Sequence, residues 1–487
     1  MSARAAWRFR PWRVDGRSGR SSLWIEEALA AEPDAWAGAR RLEGRVRADV
    51  CVVGGGFTGL WTAIRLRELD PSLTVVLVEA ELCGTGASGR NGGMVSDWWV
   101  KLPTLIRYLG RDDALTVAAA IEAGAREIDR FCGAEGIDAE ISFPGLYWTA
   151  TNAAQVATIE QVVAAADAAG VGPFRVVPRD ELIERLASPL HRFGVHDPRG
   201  GALHPALLAR GLRRAALQHG VDVRERSPLS AIEAGSSIRL RCGDASVEAE
   251  RAVLAANAWM AHFRELRGDV VVVSSDVVAT APAPALLTQR GWPDGVGAFD
   301  ARTLIDYWRT TANGRVVFGR GGGTLAPAAR IGSRFEHSER RRRWVEAELR
   351  RLLPPLVEIP VTHSWAGPVE RSATGLLRFG CLGGDDRLPY AIGFAGSGIV
   401  PAVAAGRCLA SLALGRDDDW ASLARLLAAR GPGFPPEPFR YLGGLVVQRA
   451  IARKEDAEDR GGMPSGLVRF LARYAPGGVA SPPGRSS

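Results

Sequence analysis

The chain has 487 residues, 46% of them apolar and 24% charged, and a net charge of +7. That length is too great for one compact core, so two or three domains are expected, in a composition ordinary for a globular protein. No stretch reaches the roughly 20 apolar residues of a membrane span. The six cysteines (51, 83, 132, 242, 381 and 408) stand singly, which argues against a zinc site or a disulfide framework. All but two of the 61 basic residues are arginine, the exceptions being Lys101 and Lys454, and arginine is interspersed with Asp and Glu almost everywhere. No nucleic-acid partner is therefore expected.

In chain order, the first twenty residues read as a mobile basic arm with no apolar signal-peptide stretch behind it, which suggests a cytoplasmic protein. "SLWIEEAL" follows as a short helix capped by Ser22. Residues 48–54, 57–69 and 73–79 read as strand, helix and strand, the βαβ unit of a doubly wound sheet. Helices are expected at 113–134 and 153–169, with a strand at 145–151 between them. A helix at 205–219 leads into the strand "VDVRERS", and the alternating region up to 256 reads as a hairpin returning to the core. Longer strands are expected at 270–280 and 303–319, the second turning at Asn313-Gly314, a two-residue hairpin signal. The helix 335–352 carries "ERRRRW" on a solvated face, and a strand follows near 361–365. "YAIGFAGSGIVPAVAAGRCLASLALG" reads as strand, glycine turn and helix, and the last seventy residues as an appendage.

The chemistry begins at "VVGGGFTG", where Gly54, Gly56 and Gly59 follow a strand and open a helix. Gly54 permits a tight turn, Gly56 lets backbone approach a pyrophosphate, and Gly59 lets helix and strand pack closely. Glu79 ends the second strand about 20 residues later, where a carboxylate accepts from a ribose hydroxyl and disfavours a 2′-phosphate. These features alone do not separate NAD from FAD. The second glycine-rich segment, "CGTGASGRNGGM", does. Its small residues let backbone run along a flat extended ligand, and Ser88 and Arg90 can meet ribityl and phosphate oxygens.

With that segment the chain resembles the D-amino-acid oxidase superfamily of FAD enzymes, near the gamma-glutamylputrescine oxidase and sarcosine oxidase branches. "GGALHPALLARGLRRAALQHGVDVRERSPLSAIE", "VLAANAWM" and "HSWAGPVERSATGLLRFG" with "YAIGFAGSGIVP" carry the likeness further, over roughly residues 22 to 460. "SLWIEEAL", "GGGFTGLWTAI", "SGRNGG" and "FPPEPFRYLGG" are similar to a bacterial branch named for aminophosphonate oxidoreduction.

The resemblance implies an α/β fold, α+β overall, with a doubly wound FAD-binding domain (45–105, 190–265 and 365–416) and a discontinuous antiparallel-sheet substrate domain (106–189 and 266–364). Residues 1–44 form an N-terminal arm and helix, and 417–487 a helical extension. Cofactor contacts are implied for Gly54, Gly56, Phe57, Thr58, Gly59, Glu79, Ala80, Gly86, Ala87, Ser88, Arg90, Asn91, Gly92, Gly93, Leu229, Gly396, Ser397, Gly398 and Ile399. No metal is implied.

The reaction implied is hydride transfer from an amine C–N bond to flavin N5, giving an imine that hydrolyses. The cofactor carries the chemistry and no acid–base triad is needed. Sarcosine oxidase relatives attach flavin through a Cys near the position of Gly367. The nearest cysteine here is Cys381, so non-covalent FAD is expected. Their substrate-carboxylate clamp falls on Ser96 and Val400, neither of which is cationic. Arg309 and Arg320, flanking the hairpin, are the candidates to hold an anionic substrate group. Trp98, Trp99, Tyr147, Trp148, Tyr307 and Trp308 are candidates for the pocket wall. The span between Lys101 and Lys454 has no lysine. In that branch a lysine near N5 is associated with oxygen activation, so oxygen is expected to be a poor acceptor here. Two other readings stand beside amine oxidation: a flavin-containing component of RNA modification, and a non-catalytic flavin-binding relative.

Overall fold

The computed structural model describes residues 5–8, 22–292, 295–332, 335–429 and 431–477. Two large sheets organise them. The first is built on the parallel core Ala245–Leu254, Arg45–Val53, Val75–Val78 and Asp222–Arg224, in that spatial order. Its inner strands are unbroken apolar runs such as Val75–Val78, all four buried, as expected where helices cover both faces of a parallel sheet. The helices Phe57–Leu69 and Ile399–Ala413 pack together on one face. Gly406 makes their contact close, since a Cβ there would press on Trp61 at 2.6 Å.

The antiparallel strands Ile238–Cys242, Ala231–Ala234 and Ala5–Arg8 extend this sheet outward. The last of these corrects the expectation of a mobile arm. Trp7 pairs in register with Ile232 and packs on the core, its ring Nε1 donating to Glu265 at 3.0 Å. The rest of the expected arm, 1–4 and 9–21, lies outside the described residues.

The second sheet runs Val361–Ser372, Val270–Thr280, Val316–Arg320, Asp306–Thr310, Gly297–Asp300, Leu146–Ala150, Phe193–Asp197 and Arg175–Val176. It is antiparallel except where Leu146–Ala150 meets Gly297–Asp300. The turn at Asn313-Gly314 joins two of its strands in the expected hairpin, with Gly314 at φ +76°. The helix Glu339–Leu352 covers this sheet. Its arginines do not all face solvent: Arg343 does, but Arg341 turns inward to Asp276, Nε to Oδ1 2.5 Å. The expected solvated face of "ERRRRW" is corrected to that extent.

The C-terminal residues are no appendage. Helix Phe439–Asp459 is fastened to the second sheet through its inward face. Glu455 accepts from the Thr303 and Leu304 amides at 2.9 and 3.1 Å, and Asp459 pairs with Arg302 at 2.6 Å. Gln448 donates to the Gly323 carbonyl at 2.8 Å. The sequence pattern showed helix here but not what it would touch.

Candidate active site

A cavity of about 510 Å³ lies between the two sheets, within the size of a small-molecule or cofactor site. One end is a backbone cradle. Strand Arg45–Val53 ends at Gly54, whose φ of +108° turns the chain into helix Phe57–Leu69. A Cβ at Gly54 would stand 2.6 Å from the Ala255 carbonyl oxygen, and one at Gly59 would overlap the Gly54 carbonyl. No side chain bulkier than hydrogen fits either place. Gly56, Phe57 and Thr58 at the helix start line the cavity, and the Phe57 amide donates to the Ser88 hydroxyl at 2.9 Å. Helix Ile399–Ala413 also points its N-terminus here, after Ala395 and Gly396, both left-handed at φ +54° and +87°. Two positive helix ends on one cavity favour an anionic ligand such as a pyrophosphate.

Glu79 closes the cradle. Its carboxylate accepts from the Gly55 amide at 2.7 Å and the Glu81 amide at 3.0 Å, leaving lone pairs toward the cavity. Burial raises its pKa, and those two amides oppose the shift. Burial and the neighbouring Glu79 push Glu81 up to about 7. Of the residues expected to hold the cofactor, all but Gly59 and Gly93 line this cavity. Those two serve it from behind. Gly93, at φ +71°, lies against the Leu203 carbonyl and the Arg309 guanidinium, 2.7 Å from a would-be Cβ. Asn91 pins the second glycine segment, its amide donating to the Ser88 carbonyl at 2.8 Å while its oxygen accepts from Gly93 N at 2.8 Å. The cradle therefore fits a dinucleotide: tight glycine turns, a helix N-terminus at the cavity and a carboxylate at the end of the second strand.

The other end of the cavity is walled by side chains from distant parts of the chain. Tyr307 and Trp148 line it as expected, and Tyr307 bonds through its hydroxyl to Ser275 at 3.0 Å. Burial pushes the Tyr307 phenol up to about 12, so it stays protonated. Trp98, Trp99, Tyr147 and Trp308 do not line it. Trp98 is fully buried in the core.

Both arginine candidates are corrected. The Arg309 guanidinium is engaged by the Gly92 and Leu203 carbonyls at 2.8 and 2.7 Å and lies over the Trp24 ring, away from the cavity. Arg320 pairs with Asp306 at 3.1 Å and Glu348 at 3.3 Å and stacks on Trp344. Each fastens the scaffold. Sequence reasoning placed them on the correct sheet, but their direction depends on their partners: Gly92 and Leu203 for Arg309, Asp306 and Glu348 for Arg320.

Beside the expected Arg90, two further cations that line the cavity were missed as site residues: Lys101 and Arg371. Lys101 sits 4.5 Å over the Trp98 ring and donates to the Gly375 carbonyl at 3.0 Å. Burial and the neighbouring Arg371 push its ammonium down to about 7. Arg371 has a buried Nε without a hydrogen-bond partner, and burial lowers its pKa against the pull of Glu455. Neither cation has a carboxylate ion-pair partner among the described residues. Lys454 also lines the cavity, paired with Glu458 at 2.8 Å. The lysine-free span between 101 and 454 thus does not leave the cavity without lysine, and the expectation of poor oxygen reactivity loses its premise. Behind the cradle, Glu370 accepts from the Gly393 and Phe394 amides, each at 3.1 Å, and from Asn257 at 3.0 Å. Burial pushes it up to about 7.

Residues 49–412 match the profile of the DAO family, described as FAD dependent oxidoreductase. The chain is 28% identical over 407 residues to gamma-glutamylputrescine oxidoreductase of Escherichia coli (strain K12), covering 83% of this chain and 92% of that protein. It is also 28% identical to the probable oxidoreductase OrdL of Rhizobium meliloti (strain 1021), over 80% of this chain and 89% of that one. Among solved structures, glycine oxidase from Geobacillus kaustophilus superposes with a TM-score of 0.64 at 22% identity, covering 79% of this chain and 99% of that one. That likeness shows a shared fold. With a family match over most of its length and a cradle that fits the dinucleotide, this chain belongs to the DAO family of FAD-dependent oxidoreductases.

Proposed function

We propose that this enzyme oxidises the C–N bond of a primary or secondary amine that also carries an anionic group, an aminophosphonate or a γ-glutamyl polyamine being of that kind. FAD, held non-covalently, supplies the hydride acceptor at N5, and the resulting imine hydrolyses in water. The observation that carries the reading is that Lys101 and Arg371 line the same cavity as the glycine cradle with no carboxylate in an ion pair with either among the described residues. Two largely desolvated cations with no ion-pair partner among the described residues, one of them under only the longer-range pull of Glu455, are costly unless the ligand brings negative charge.

The chain's own residues then divide the work. Arg371 offers a planar fork to a carboxylate or phosphonate, and Lys101, fixed by the Trp98 ring and the Gly375 carbonyl, adds a point charge. Tyr307, protonated and held by Ser275, keeps a hydroxyl at the wall. An amine must be neutral to give up hydride, and a dry wall carrying two cations disfavours its ammonium form. The name of the E. coli relative, gamma-glutamylputrescine oxidoreductase, supports an amine substrate.

The test is anaerobic mixing of the FAD-loaded enzyme with paired amines that differ only in an anionic group. The anionic member is expected to bleach the flavin at the lower concentration, and Arg371→Ala to erase that preference. Equal bleaching by both members in the unsubstituted enzyme rejects the anionic substrate. Bleaching by no amine in a broad panel rejects amine oxidation.

A further inference from the structure

We propose that the two C-terminal helices form a peripheral docking surface for an anionic membrane. Of the fourteen large apolar side chains that stand exposed among the described residues, seven lie between 439 and 474, and the other seven are scattered over the rest of the fold. On helix Phe439–Asp459 they are Phe439, Leu442 and Val446, spaced to form one stripe. On helix Gly466–Ala472 and just beyond it they are Leu467, Phe470 and Tyr474, with the same spacing. Met463, 83% exposed, stands between the helices. A monomer does not ordinarily leave such a concentration in water.

Charge selects the occupant. Arg449, Arg453, Arg460, Arg469 and Arg473 are exposed in the same segment, and none has an ion-pair partner among the described residues. The carboxylates there are mostly committed elsewhere: Glu437 to Arg440, Glu455 to the Thr303 and Leu304 amides, Glu458 to Lys454 and Asp459 to Arg302. Only Asp456 remains on the outer face against those five arginines. A second copy of the chain meeting this face about a two-fold axis would bring like charges together. Phosphodiester backbone would satisfy the arginines but leave the aliphatic side chains in water. Anionic lipid answers both, taking apolar side chains below the headgroups while arginines meet the phosphates.

The arrangement also suits firm attachment. The stripe Phe439, Leu442, Val446 continues through Arg449 and Arg453 along one side of the helix, and the opposite side carries Gln448, Glu455 and Glu458, which grip the second sheet or line the cavity. The surface is therefore held by the folded body on one side and free on the other. It lies outside the residues matched by the family profile, 49–412, and does not depend on which amine is the substrate.

The test uses the FAD-loaded full chain and sedimentation with vesicles of phosphatidylglycerol and phosphatidylcholine, against phosphatidylcholine alone. Binding is expected only to the anionic vesicles. Leu467→Ser with Phe470→Ser should weaken it by at least about tenfold, given the apolar area withdrawn from the interface. Arg469→Gln with Arg473→Gln should weaken it by about tenfold at low salt. Flavin absorbance and circular dichroism of both variants should match the parent, since the side chains are exposed. No sedimentation with anionic vesicles overturns the proposal. So does binding that ignores the apolar substitutions and vanishes with salt, which marks mere adsorption of a basic chain. Concentration-dependent self-association abolished by the same apolar substitutions also overturns it, in favour of a second copy.

Discussion

The two ends of the cavity are built by different means. At the cradle, the contacts come from backbone and small residues drawn largely from one stretch between Gly54 and Gly93, and the glycines there are fixed by close approach to neighbouring carbonyls. At the opposite end, proposed for the substrate, Lys101, Ser275, Tyr307, Arg371 and Glu455 arrive from five separate elements. Lys101, Glu455 and the Ser275–Tyr307 pair are held by contacts between those elements and others, while the Arg371 Nε has no hydrogen-bond partner among the described residues. A ligand shared by a whole family is met by backbone geometry. On the proposed function, a ligand particular to this member would be met by side chains that the fold gathers from distant elements.

That contrast makes predictions, the sharpest at the cradle. Gly59→Ala places a methyl group on the Gly54 carbonyl and should cost about 3 kcal/mol or more, the range of severe overpacking. Purified protein should be colourless or insoluble, and a yellow, stable variant would mean that the turn can open. At the substrate end, Arg371→Ala should lower kcat/KM for the anionic amine by about 10- to 100-fold, the scale of 1.5–3 kcal/mol for a hydrogen bond to a charged group. Flavin content should not change. A matching loss with a neutral amine would make Arg371 a scaffold residue. The intermediate case is Glu79→Ala, expected to weaken FAD binding by roughly 1–3 kcal/mol, as read from the fluorescence of released flavin. Unchanged affinity would detach Glu79 from the ribose.

A smaller effect tests the electrostatics. The Lys101 ammonium is pushed down to about 7, with Arg371 the charged group beside it. A depressed lysine binds fewer protons folded than unfolded at pH values between about 7 and its ordinary value near 10.5, so its contribution to stability rises with pH across that interval. Anion binding has the opposite sign, because the clamp needs the ammonium. KM for an anionic amine should rise several-fold as pH passes through about 7, and Lys101→Met should remove that inflection while keeping any due to the substrate. An inflection that survives the substitution would assign it to another group.

Legibility followed the same division. The βαβ unit was readable because its apolar runs and glycines are close in sequence, and helix Phe57–Leu69 falls on the expected residues. Val270–Thr280 was likewise readable from its own composition. Arg309 and Arg320 were not, because a guanidinium on a strand can face either way until its partners are known. Here Gly92 and Leu203 claim one, and Asp306 and Glu348 the other. Nothing local marks Arg371 as unpaired or Lys101 as facing the cavity. The Ala5–Arg8 strand was hidden because four residues carry too little periodicity to announce an edge strand.

The scarcity of lysine has a practical result. The chain's two lysines both line the cavity, at 101 and 454, whereas every other basic side chain is arginine. Amine-directed reagents that scatter over the surface of most proteins would here find, apart from the chain terminus, only the walls of the cavity. Reductive methylation followed by peptide mass spectrometry thus becomes a footprint of cavity occupancy. Lys454, beside Glu458 and partly open to solvent, should react first, and Lys101 should be shielded when ligand fills the space beside Arg371.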